Sequence, residues 1–210
     1  MNGIRQYVTE LQGTLERLPL QAIEDVIQVL HEARLHGRQV CVIGNGGSAS
    51  TASHIVCDLA KNTRVEGVPH VRTLDILDNS AVLTAYANDE GYENALAQHM
   101  ANFIHPGDVI IAISTSGNSP NVLRAVEAGN AAGAITIGFT GFDGGRLQSL
   151  ASKNVHIESS NIEQVEDIHL MLGHVITVDL RQLARDLIMR RNGNQKNDPA
   201  PLVLSEAHSD

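Results

Sequence analysis

The chain reads as one doubly wound α/β domain on a five-stranded parallel sheet, with long helices before and after it. Three observations carry that expectation. Short β-branched apolar runs alternate with longer stretches of helical period, as in right-handed β-α-β units. All but one of the short runs are near-continuously apolar, as strands covered on both faces are. Two glycine- or hydroxyl-rich segments follow such runs directly, the position at which open α/β sheets bind ligands.

In chain order, a helix is expected over Leu18–His36 and a first strand over Gln39–Ile43, with Cys41 a small buried thiol among Val40, Val42 and Ile43. A helix over Ala49–Lys61 leads to a strand at Thr73–Ile76 and helices at Ser80–Ala87 and Tyr92–Ile104. The third strand is Asp108–Ile113. It feeds a helix over Ser119–Ala132, with Ser119 as N-cap and Pro120 in the first turn. Strands follow at Ile135–Phe139 and Val155–Ile157, then a helix over Glu163–Arg190. At ~1.5 Å per residue that last helix spans roughly 40 Å, long for one compact domain, so a homo-oligomer is expected. Residues 1–191 form a single domain on this reading, and the polar, proline-containing residues 192–210 a flexible tail.

Composition narrows the function. Of 210 residues, 42% are hydrophobic and 19% charged, enough to bury a core. The net charge of −9, with 3% aromatics and no Trp, argues against nucleic-acid and anionic-membrane partners. It leaves anionic substrates open, because backbone N–H groups can hold a phosphate without a basic surface. Neither a signal peptide nor a spanning segment is visible, so a cytoplasmic protein is expected.

The first ligand loop, Gly44-Asn45-Gly46-Gly47-Ser48-Ala49-Ser50, fits neither the P-loop nor the dinucleotide pattern. Its glycines permit close backbone approach, although an ordinary strand-to-helix turn has the same composition. The second, Ser114-Thr115-Ser116-Gly117-Asn118-Ser119, brings four hydroxyls to a helix N-terminus, more than one cap requires. Hydroxyls, free N–H groups and the helix dipole together make a phosphate cradle. His54 and Asp58 at i,i+4 share a helix face, suiting a metal pair or an acid–base pair, though most such pairs merely line a solvated face. On the last helix Glu166 and His174 fall about 80° apart, while His169 lies about 140° from His174. His169 is expected to line the site from the other side or to meet a subunit. Lys61 and Arg64 suit the end of their helix and are candidate aids to phosphate recognition. Cys57 is read as packing.

The two loops together with His169…His174 resemble the sugar-isomerase (SIS) domain of phosphoheptose isomerases, from the N-terminal helix to about Arg190. The resemblance implies the SIS fold and conversion of sedoheptulose 7-phosphate to an aldoheptose 7-phosphate, D-glycero-D-manno-heptose 7-phosphate or a close relative. It also implies one zinc ion per subunit and a homotetramer with sites at subunit interfaces. Carried over by position, Asn45, Gly46, Gly47, Ser48, Asp89, Ser114, Thr115, Ser116, Ser119 and Glu166 contact substrate. His54, Asp58, Glu166 and His174 hold zinc, and Asp58 and His174 are catalytic. Two positions depart from the family pattern: Asp58 is one methylene shorter than the family's Glu, and Glu166 carries a charge where Gln is usual. Two other readings remain: an isomerase of another phosphosugar, or a non-catalytic SIS module like the relative that binds a replication initiator.

Overall fold

A computed structural model describes residues 2–195. Five parallel strands, β1 (Gln39–Ile43), β2 (Arg72–Leu74), β3 (Val109–Ser114), β4 (Ile135–Thr140) and β5 (Lys153–His156), lie in the order β2-β1-β3-β4-β5. That order reverses direction between β1 and β3. The loops after these two strands therefore flank the crevice where doubly wound sheets take ligands.

Strands β1 and β3 feed both faces of the sheet. Val40 and Val42 of β1, with Val109, Ile111 and Ile113 of β3, enter one core; Cys41, Ile43, Ile110 and Ala112 enter the other. Helices α2 (Leu20–Leu35), α3 (Gly46–Lys61) and α8 (Ile162–Gln195) cover the first. The second is covered by α4 (Ser80–Glu90), α5 (Tyr92–Ala101), α6 (Pro120–Ala131) and α7 (Gly145–Leu150). Cys41 is buried as expected, and burial pushes its thiol pKa far up.

Several boundaries differ from the sequence expectation. β2 stops at Leu74 because the Asp75 carboxylate accepts the Leu77 N–H at 3.0 Å and turns the chain. β5 begins two residues before Val155 and ends at His156. Helix α1 (Asn2–Glu16) was not anticipated, although Ile4, Val8, Leu11 and Leu15 mark a helical stripe. α8 runs on to Gln195, so residues 192–195 continue the helix rather than open a tail; 196–210 lie outside the described residues. At ~1.5 Å per residue α8 is roughly 50 Å long. No described helix is long and apolar enough to cross a membrane.

Candidate functional site

The glycine segment is helix rather than loop from Gly46 onward, so the N–H groups of Gly46, Gly47 and Ser48 are those left free in a first turn. Neither α3 nor α6 receives a side-chain cap. Asn45 and Ser119 hold the N-cap positions without capping hydrogen bonds. The Ser119 hydroxyl instead meets that of Ser114 at 3.3 Å. Two uncapped helix N-termini thus open beside a hollow of about 180 Å³ lined by Asn45, Ser48, Ser114, Thr115, Ser116 and Ser119. This arrangement favours an anion. Lining it as well are Phe142, Ile162 and Glu166, none of which is cationic.

Asn45 is committed to holding the two loops together. Its amide exchanges hydrogen bonds with that of Asn121 on α6, at 2.8 Å in both directions, and its Oδ1 also accepts the Tyr92 hydroxyl at 2.9 Å. One Asn45 N–H remains for a ligand. Sequence reasoning missed Asn121 and Tyr92, whose partners lie in other elements. It missed Phe142 too, the one non-glycine residue with positive φ (51°) among the described residues.

The second constellation lies between α3 and α8. His54 Nε2 and His174 Nε2 are 3.0 Å apart, and Asp58 Oδ2 stands 3.5 Å from the first and 3.8 Å from the second. These separations bracket the edge, roughly 3.3 Å, of a tetrahedron with metal–ligand bonds near 2.0–2.1 Å. The imidazoles are about half exposed and Asp58 only 13% exposed, so the group faces solvent on one side with its carboxylate at the back. Two neutral imidazoles and a carboxylate suit a borderline divalent cation and leave further coordination to a ligand from outside. Gly173 sets the geometry: a Cβ there would stand 2.5 Å from Ile55 Cγ1, so the missing side chain lets α8 approach α3 beside both histidines.

The structure gathers three of the four expected metal ligands. Glu166, the fourth, is half-buried in the hydroxyl hollow, its carboxylate against Gly47, where a Cβ would collide with it. Asp89 is exposed near the end of α4, accepting from Asn88 at 2.8 Å, and does not line the hollow. Lys61 ends α3, about 22 Å along the axis from Gly46, and Arg64 lies beyond it beside His70. Neither reaches the hollow within this chain. His169 neither lines the site nor offers a subunit contact: it is 1% exposed, meets the Thr140 carbonyl at 3.4 Å, and burial lowers its pKa to about 4. Cys57 is exposed rather than packed. A larger hollow of about 530 Å³ opens at the opposite ends of the strands, where Asp25 pairs with Lys153 at 3.2 Å and Glu32 with His36 at 3.6 Å. Doubly wound sheets do not bind substrate at that edge.

Residues 5–141 match the SIS domain family. The chain is 33% identical over 183 residues to the phosphoheptose isomerase of Aquifex aeolicus, covering 87% of this chain and 93% of that one. It is 39% identical over 145 residues to that of a Nitratiruptor species, covering 69% and 77%. Among solved structures, a phosphoheptose isomerase from Francisella tularensis superimposes with a TM-score of 0.80 at 26% identity, over 86% of this chain and 96% of that one.

Proposed function

This chain belongs to the SIS-domain family, within its phosphoheptose isomerases, and on that premise we propose that it converts sedoheptulose 7-phosphate to an aldoheptose 7-phosphate. The observation that carries the reading is the layout of α3. It begins in the hydroxyl cradle and presents His54 six residues, about 9 Å along its axis, beyond Ser48, a spacing that suits several carbons between phosphate and carbonyl.

In this reading the phosphate docks against Ser48, Ser114, Thr115, Ser116, Ser119 and the first-turn N–H groups of α3 and α6. Asn45 and Glu166 contact the sugar, with Asp89 reserved for a neighbouring subunit's substrate. The Asp58 carboxylate removes the proton from the carbon beside the carbonyl, and the C–H electron pair becomes the C=C bond of an enediolate. His174 moves a proton between the two oxygens, and return of a proton to the adjacent carbon completes the isomerisation. His54, Asp58 and His174 are the groups to hold zinc, with a further position left to a ligand from outside; when bound, the ion would supply a Lewis acid for the carbonyl oxygen. Exposed Val175 and Val178 flank His174 on α8, and Ile4 and Val8 are exposed on α1. Those surfaces support a homotetramer with sites at its interfaces.

The test is turnover of sedoheptulose 7-phosphate by the purified protein, followed by NMR with zinc and then with a chelator. Zinc-dependent formation of an aldoheptose phosphate is expected. Failure with metal bound shifts the reading to another phosphosugar; failure with no metal bound, to a binding module.

A further inference from the structure

Asp58 has a partner that neither the loops nor the histidines reveal. Asn62, the C-cap of α3, directs two donors to it: its backbone N–H reaches the Asp58 carbonyl at 2.7 Å, and its Nδ2 reaches Asp58 Oδ1 at 2.7 Å. The Asn62 carbonyl in turn accepts Arg181 Nη1 of α8 at 3.2 Å. Arg181 lies seven residues after His174 and so on the same helix face. The brace therefore forms the next rung below His54 and His174 between the same two helices.

We propose that Asn62 is a positioning residue for the metal group: it anchors one oxygen of Asp58 so that the other is held towards His54 and His174. The inference rests on the zinc-site reading above. An aspartate has few rotatable bonds, and this one is mostly enclosed, so a fixed donor on Oδ1 decides which oxygen faces the imidazoles. A carboxylate held in this way turns the same oxygen, Oδ2, towards the imidazoles and the substrate side. Hydrogen bonds from outside the ligand set commonly tune metal affinity in this manner. An asparagine that merely ended the helix would have no such effect.

The experiment measures zinc affinity by competition with a chromophoric chelator, alongside metal-free thermal unfolding, for the wild type, Asn62→Ala, Asn62→Gln and Asp58→Asn. Asn62→Ala is expected to weaken zinc binding about tenfold with little change in metal-free Tm. Asn62→Gln, whose longer amide still reaches i−4, should recover most of the loss. Wild-type affinity in Asn62→Ala overturns the proposal, as does an equal loss in both Asn62 variants with a lowered Tm. If the wild type binds no zinc, or Asp58→Asn binds it as tightly, the zinc-site reading itself fails and takes this inference with it.

Discussion

The hydroxyl cradle and the imidazole–carboxylate group share helix α3, yet they are held by different means. The cradle is made of contiguous residues, Ser114 to Ser119, and of N–H groups that any uncapped helix start presents. Its longest-range lock is the Asn45–Asn121 pair, 76 residues apart in sequence. The metal group joins residues 120 apart, and its geometry depends on how closely two helices pack at Gly173. An anion site built from backbone donors should tolerate side-chain changes one at a time. A ligand set assembled across a helix interface should fail when any member or its spacing changes.

The largest expected separation between the two is Asp58→Asn. The amide keeps the side chain's size but cannot accept the substrate proton, so kcat should fall by roughly 10²–10⁴. Inorganic phosphate binding, measured by calorimetry, should stay within a factor of two. Loss of both together would show that the regions are not separable.

Acid should also discriminate between them. His169 docks α8 onto β4 in its neutral form, with Phe139 and His156 as neighbours. Its folded pKa of about 4 lies below the ordinary 6.5, chiefly because burial disfavours the charged ring. The unfolded chain therefore binds the extra proton first. His169's contribution is complete above pH 6.5 and is lost as pH falls towards 4, about 3 kcal/mol over that window. Chemical denaturation at pH 7, 6, 5 and 4 should show this decline, and His169→Gln should flatten it.

Gly173→Ala probes spacing alone. Alanine favours a helix by about 1 kcal/mol over glycine, so a net loss of stability would mean that the clash with Ile55 outweighs propensity. We expect a net cost of about 1–2 kcal/mol and roughly tenfold weaker zinc binding, with phosphate binding unchanged. A stabilised variant with intact zinc affinity would remove the claim that this contact sets the ligand separation.

The same contrast explains what the sequence made legible. Gly44–Ser50 and Ser114–Ser119 could be read because their chemistry is local and their place after a strand is periodic. The five strands were found for the same reason, although Asp75 ends β2 early and β5 begins two residues before its expected start. Asn121, Tyr92, Asn62 and Gly173 were missed because each acts on a residue brought near by folding or by a cap. Glu166 is instructive: a helical wheel puts it on a face shared with His174 but discards height, and eight residues separate the two by about 12 Å along the axis. Height is what brings its carboxylate to the level of Gly47.

The smallest expected effect follows from that placement. Glu166 is the one carboxylate lining a hollow in which no side chain is cationic, so a phosphate held there is opposed by a neighbouring negative charge. Glu166→Gln removes the charge while keeping the side chain's length and its capacity to accept a hydrogen bond. Phosphate affinity of the metal-free protein should rise a few-fold, and more at low ionic strength than at high, because salt screens what remains of the repulsion. Calorimetric titration of both forms with inorganic phosphate at two salt concentrations makes the comparison. Equal affinity at both would mean that the carboxylate and the anion do not share the hollow, placing the phosphate deeper against the hydroxyls and leaving Glu166 to the sugar.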